Sequence, residues 1–344
     1  MRTDAAADSL SAGGSRAPRV IHTGQALVDL VVEVPDLPAR GQNVMATSVA
    51  HYAGGAVTVL LAAARLGAEC VHAGAHGTGP NGDLIRAVLA ADGITAPAPP
   101  VVGRDTGLCI VAVEPTAERT FLTTLGAERD ISVDGLATAA AQPGDLICVT
   151  GYSLAVEQTR EPLLAWMATL PEAAVVVLDP GAAFATLPDV VRDVMLARTD
   201  VWTSNAEEAT DLLAARSLTA SASDAEREIS AQARTLAPLL RDGAVTIVRD
   251  GAAGCAVHVA GETAYVEGFP QTPIDTNGAG DTHTGALLAE IARHPHADAQ
   301  AWADACRRAN AAAAIKVTRR GPDSAPTAAE VDDFLSRFAA PAAR

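Results

Sequence analysis

Short runs of Val, Ile and Leu alternate with amphipathic stretches along most of this chain. Val20–His22, Cys70–Ala75, Asp145–Val149, Val175–Asp179 and Val201–Thr203 read as strands; Val57–Leu66, Asp83–Asp92, Glu157–Leu170 and Val190–Leu196 read as helices between them. Continuously apolar strands divided by helices belong to a parallel sheet covered on both faces. Two excursions, about 29–51 and 106–124, break the rhythm. Their runs Leu30–Val34, Met45–Val49, Leu108–Val113 and Arg119–Thr123 carry no helix between them. They predict a small β-sheet, paired from both excursions and projecting from the main body as a lid or dimer surface. Its hinges fall near Gly54-Gly55, Gly103 and Gly126. Ala244–Glu267 alternates like antiparallel strands with glycine turns, and helices are predicted over Gly278–Ala292, Asp298–Val317 and Ala328–Phe338. The prediction is one α/β domain over 18–340, with residues 1–17 a small, polar, disordered tail.

The stretch Ile274–Ala286 departs most from a plain helix start. Gly278 and Gly280 bracket an alanine, Asp281 follows at once, and an apolar helical run comes next. Glycines there let successive N–H groups point one way at a helix N-terminus, which makes a cradle for an anion such as phosphate. The N–H groups of Asn277, Gly278, Ala279 and Gly280 would form it. A carboxylate beside phosphate is unfavourable unless it has a task, and deprotonating an alcohol during phosphoryl transfer is such a task. A first-turn aspartate is equally a common helix cap.

Composition narrows the partners. The chain has 344 residues, 49% hydrophobic and 3% aromatic, and a formal net charge of −16. That charge argues against a nucleic-acid backbone as partner. Lys316 is the only lysine, so there is no Gly-Lys-Ser/Thr phosphate loop. Cys70, Cys109, Cys148, Cys255 and Cys306 are scattered and unpaired in pattern, which predicts a reduced, cytoplasmic setting without a zinc site. Neither a secretory signal nor a membrane span is predicted.

Four further features bear on chemistry. Gly54-Gly55 stands before a helix, where paired glycines allow a substrate close to the backbone or simply make a tight turn. Asp29 follows the first strand, where a carboxylate can accept hydrogen bonds from sugar hydroxyls or lie in solvent. Asn205 and Glu208 share one helical face; they could hold Mg2+ through its water shell, or form a capping box. Gly77-Thr78-Gly79-Pro80-Asn81-Gly82 spells a dinucleotide fingerprint. It lies after the wrong strand, Pro80 removes a donor, and no acidic residue follows at the expected distance.

Together these features resemble the ribokinase/PfkB family of carbohydrate kinases, from about Val20 to Phe338. Asp275-Thr276-Asn277-Gly278-Ala279-Gly280-Asp281 is similar to that family's Asp-Thr-x-Gly-Ala-Gly-Asp signature. Gly54-Gly55 through Gly67, Asn205–Glu208 and Glu118–Phe121 resemble its N-terminal signature, its Asn-x-x-Glu element and a lid strand. The resemblance implies a three-layer sandwich with a β lid, often paired with another subunit's lid. It implies transfer of the γ-phosphate of ATP to a primary alcohol of a sugar, or of a nucleoside, with Asp281 as base. It places Gly251 and Gly254 in a turn supporting the nucleotide, Asn310 beside the adenine, and Asp29, Gly54, Gly55 and Thr58 around the acceptor. A monovalent cation such as K+ would sit at Asp275 and the carbonyls around Lys316 and Gly321. Thr58 and Gly79 replace the family's usual Asn and Asp, and the Tyr152 region lacks an acid that ribose-specific members carry; all three bear on acceptor identity. A non-catalytic sugar-binding protein on the same fold is the alternative of a different class.

Overall fold

The computed structural model describes residues 16–116, 118–222, 227–294 and 298–338. Residues 1–15 of the predicted tail lie outside them, whereas Arg16 is tied to Asp145 by an ion pair at 2.8 Å. Among the described residues twelve strands form two sheets: β1 (Val20–His22), β2 (Ala26–Glu33), β3 (Ser48–Gly55), β4 (Cys70–His72), β5 (Leu108–Val113), β6 (Arg119–Thr123), β7 (Leu146–Thr150), β8 (Val175–Asp179), β9 (Val201–Asn205), β10 (Val245–Arg249), β11 (Gly254–Val259) and β12 (Glu262–Glu267). The central sheet has the order β12-β11-β10-β9-β8-β7-β1-β4, and its pairs are parallel from β10 through to β4. Only β11 runs against its neighbours, which is the alternating segment predicted at Ala244–Glu267.

Strand side chains feed two separate cores. Val20, Cys70, Leu146, Cys148 and Val177 pack with helices Ala56–Arg65, Ala279–Arg293 and Ala299–Lys316. Their neighbours Ile21, Val71, Ile147, Val149 and Val176 face the other way, onto helices Glu157–Met167, Asp189–Arg198, Ala206–Ala215 and Glu228–Leu236. Strict alternation with both faces apolar yields the three layers.

The small sheet has the order β3-β2-β5-β6 and is built from both excursions. Its strands differ from those predicted. β2 and β3 pair from Ala26↔Gly55 to Glu33↔Ser48, so β2 begins before Leu30 and β3 runs well past Val49. Half-exposed strands carry His51, Tyr52 and two glycines without loss, and these blur the period-two signal. Gly54-Gly55 is the end of β3.

β1 and β4 end side by side in His22 and His72, which are paired in register and fully buried. Each Nδ1 accepts the N–H of the glycine two residues on, Gly24 and Gly74, at 3.0 Å. Burial lowers His22 to about 4 and His72 to about 3. A histidine held neutral adds stability that is complete above the unfolded value near 6.5 and lost as pH falls toward the folded value. Replacing His72 with Gln should therefore flatten the acid loss of stability by about 1.4 kcal/mol per pH unit between pH 6.5 and 5. Urea unfolding of both proteins at several pH values measures the difference; equal slopes would mean that folded His72 takes up its proton as readily as the unfolded chain does, near 6.5.

Candidate active site

β8, β9 and β10 lie next to one another and end in Asp179, Asn205 and Arg249. Carboxyl ends of parallel strands are where open α/β sheets collect ligands. Above them opens a cleft of about 610 Å³, lined by these three residues with Glu208, Asp281 and Asn310 among others. A second cavity of about 550 Å³ shares Asn205, Glu208 and Asp281 and reaches the small sheet at Glu118, Arg119 and Phe121. Both meet at the start of helix Ala279–Arg293.

That helix starts from Gly278, which is left-handed at φ 77°. A Cβ there would meet Pro322 O and the Thr58 methyl, each at 3.0 Å. No side chain caps the helix. Of the four predicted cradle donors, Asn277 N–H is taken by Asp275 Oδ1 at 2.8 Å and Ala279 N–H by Thr276 O at 3.2 Å. The N–H groups of Gly278, Gly280 and Asp281 find no acceptor among the described residues. Three unpaired donors at a positive helix end could receive an anion; two of them, Gly278 and Gly280, belong to the predicted set.

Asp281 caps nothing: its carboxyl makes no hydrogen bond with any described residue. Burial raises it to about 7, helped by Asp179, Asp29 and Glu208 and opposed by Arg249. Arg249 holds the cluster together. Its Nη1 donates to Gly280 O and Thr284 Oγ1, each at 2.9 Å, and its Nη2 lies 3.5 Å from Asp179. Thr284 in turn donates to Asp179 at 2.7 Å. Glu208 is also raised, by burial and then by Asp179.

Asp29 projects from β2 opposite Tyr52, half-buried, and burial raises it to about 6 while the Asn277 side chain pulls the other way. A Cβ on Gly54 would stand 2.4 Å from the Asp29 carboxylate, so this glycine gives the acid its place. Gly55 pairs with Ala26 at the foot of the same two strands. Thr58 is buried beneath the cradle, and its Oγ1 has no protein partner. Tyr152 lines the larger cleft beside Asp179 and Glu208. Gly79 lies outside both cavities, with a positive φ and the Asp105 carboxylate where a side chain would go.

Gly77–Gly82 binds its own protein. Asp105 accepts the N–H groups of Asn81 and Gly82, and Gly77 N–H goes to Thr106 Oγ1. Pro80 opens the following helix. Thr78 N–H goes to Arg104 O, so Gly79 N–H alone in that turn finds no acceptor among the described residues, and one donor is too few for a pyrophosphate.

Residues 17–328 match the model of the pfkB family of carbohydrate kinases. The chain belongs to this family. It is 31% identical to the uncharacterized sugar kinase YegV of Escherichia coli K12, over 91% of this chain and 92% of that one. It is 26% identical to the ribokinase of Haemophilus influenzae, over 91% and 96%. Among solved structures, fructokinase with bound ATP from Xylella fastidiosa has a TM-score of 0.78 at 21% identity, covering 94% of this chain and 99% of that one. Ribokinase from Thermotoga maritima has a TM-score of 0.74 at 20% identity, covering 93% and 99%. The protein is accordingly a sugar kinase, a phosphotransferase of ribokinase-like fold.

Asn205 and Glu208 form a reciprocal capping box in this kinase, through Asn205 Oδ1 and Glu208 Oε2 at 2.8 and 2.9 Å. The cap and the cleft use the same residues, since both also line the two cavities. No group of three or more His, Cys, Asp or Glu side chains among the described residues could enclose a metal ion directly. The crowd of Asp179, Glu208 and Asp281, two of them with raised carboxyls, does fit a hydrated Mg2+ held through its waters. Potassium does not fit. The Lys316 ammonium stands 3.0 Å from Asp275 O and 4.0 Å from its carboxylate, where that ion was expected. Asn310 is fixed by His283 at 3.1 Å and by Val266 O and Glu267 O, and it lines the large cleft with Gly251 and Gly254.

Sequence reading missed Asp179, Arg249 and the reach of Arg119, whose Nη2 donates to Thr276 Oγ1 at 2.8 Å. A signal for the first two existed: each is a charged residue closing an apolar strand at its carboxyl end. No described helix is long and apolar enough to cross a membrane.

Proposed function

We propose that this kinase transfers the γ-phosphate of ATP to a primary hydroxyl of a carbohydrate, with Asp281 as general base. One observation carries the reading: an unbonded, partly exposed carboxyl stands beside three free N–H groups at the mouth of both cavities. The hydroxyl oxygen of the acceptor attacks the γ-phosphorus in line, the bond to the ADP oxygen breaks, and Asp281 takes the hydroxyl proton. The N–H groups of Gly278, Gly280 and Asp281 stabilise charge on the transferring oxygens. The nucleotide occupies the cleft between Asn205, Gly251, Gly254 and Asn310. Asn205, Glu208 and Asp179 would hold Mg2+ through its waters, and the ion would supply charge neutralisation at the phosphates. Arg119 ties the small sheet to the cradle loop, so closing the sheet over an acceptor excludes water from the reaction. Exposed Val49 and Leu122 on that sheet, with exposed Met45 just before β3, support pairing with the sheet of a second copy.

The acceptor lies between Asp29 and the Gly54-Gly55 end of β3. Relatives named ribokinase and fructokinase put pentoses and ketohexoses first among candidates. Measuring ADP release across pentoses, hexoses, sugar acids, sugar phosphates and nucleosides tests the reading; turnover with nucleosides alone would replace it with a nucleoside kinase. Asp29→Ala should raise the acceptor KM by about 10- to 100-fold, since it removes hydrogen bonds to a charged group. The ATP KM should stay put. A change confined to the ATP KM would move Asp29 out of the acceptor site.

A further inference from the structure

The loop leading into the cradle is fastened to the end of helix Ala299–Lys316. Ile274 N–H and Asp275 N–H both donate to Val317 O, at 2.7 and 3.1 Å. Asp275 then spends its carboxylate on two backbone donors, Asn277 N–H at 2.8 Å and Gly321 N–H at 3.0 Å. Its main-chain oxygen accepts the Lys316 ammonium at 3.0 Å. Lys316 is 0% exposed. It is the chain's only lysine and the last residue of its helix. A buried ammonium is costly unless paired, and the helix carboxyl end, Asp275 O and the Asp275 carboxylate are its compensation.

We propose that the Lys316 ammonium is the built-in cation of the cradle loop, a positioning residue that makes a free monovalent metal ion unnecessary. The proposal rests on the phosphate-cradle reading above. A potassium ion placed within about 4 Å of this ammonium would meet a repulsion of about 4 kcal/mol at an effective dielectric constant of 20. The tether also avoids the entropy of recruiting an ion. Lys316 touches no reacting atom; it acts by holding Asp275, whose carboxylate orients the Asn277–Gly278 turn. Burial lowers the proton affinity of Lys316, and Asp275, Asp281 and Asp323 oppose that while Arg119 adds to it, so its charge is coupled to the site.

The test uses the whole protein with ATP, Mg2+ and an acceptor found in the ADP-release screen. Rates are compared in potassium chloride, sodium chloride and tetramethylammonium chloride at one ionic strength. The wild type should be indifferent to the cation; a several-fold stimulation by potassium would overturn the proposal while leaving the kinase reading intact. Lys316→Met fills the aliphatic space without charge and should lower kcat/KM for ATP by about tenfold or more in every salt. Lys316→Ala leaves room beside two oxygens, so potassium or ammonium ions should raise both its rate and its melting temperature, and tetramethylammonium should not. Wild-type kinetics in Lys316→Met would also overturn the proposal. If Lys316→Ala does not fold, the wild-type salt response and Lys316→Met decide. Failure of the proposed function shows separately, as no acceptor-dependent ADP release from the wild type with any compound of the screen.

Discussion

Asp281→Asn is expected to lower kcat by about 10² or more while ATP still binds, because it removes the proton acceptor and leaves the N–H cradle in place. The same substitution should stabilise the protein at alkaline pH. Asp281 is raised from the ordinary aspartate value of 3.8 to about 7 by burial and by Asp179, Asp29 and Glu208. A carboxyl raised on folding contributes stability in acid that is lost as pH rises from about 4 to about 7. Ionised Asp281 therefore costs up to about 4 kcal/mol at pH 8, and an amide does not incur this. The variant should melt above the wild type at pH 8, with the gap closing toward pH 4. Loss of turnover together with a gain in stability separates a missing base from a damaged fold. A variant with wild-type kcat would remove Asp281 from the role, and one less stable at pH 8 would contradict the crowding of carboxylates around it.

The same shift predicts the pH profile. A base must be ionised to accept a proton, so kcat/KM for the acceptor should rise about tenfold per pH unit below pH 7 and level off above it. An aspartate at its usual value near 4 would give a flat profile from pH 5 to 8 and would have to act late, as the phosphorus–oxygen bond forms. Raised to about 7, Asp281 has far more proton-accepting strength. This difference is invisible in sequence. Asp281 announces itself by its place after Gly278 and Gly280, but the residues that tune it, Asp179, Glu208 and Asp29, lie far away along the chain.

Legibility follows the same division. The parallel sheet was readable because strands such as Val175–Asp179 are apolar on both faces. The small sheet was foreseen as a unit, but its strands were misplaced, since exposure on one face let His51, Tyr52, Gly54 and Gly55 enter β3 without a hydrophobic signature. Asn205 and Glu208 posed a choice between cap and metal site that the structure makes unnecessary: one oxygen of each closes the cap while both residues line the cleft. The role of Lys316 was hidden because its ammonium reaches back to a carbonyl, that of Asp275, on another element. A sequence shows a lysine near a predicted cation site without showing that the lysine is the cation.

Arg249→Met is expected to have the other large effect, on stability and turnover together. Arg249 is 9% exposed and holds Gly280 O, Thr284 and Asp179, with Asp281 and Glu208 nearby. Methionine keeps much of the stem's volume and removes the charge. Three crowded carboxyls then face one another without their guanidinium, and removing one partner of a buried ion pair costs about 3–5 kcal/mol. The loss should show in urea unfolding at pH 8 and shrink at pH 5, where protonation of Asp281 relieves part of the repulsion. Added Mg2+ should stabilise the variant more than the wild type, because a divalent ion can replace the missing positive charge. Turnover should fall at least about tenfold, since Gly280 O is no longer held and the cradle's free N–H groups lose their aim. Equal destabilisation at both pH values would point to lost packing instead of uncompensated charge. A variant as stable as the wild type at pH 8 would show that the carboxylates do not depend on Arg249.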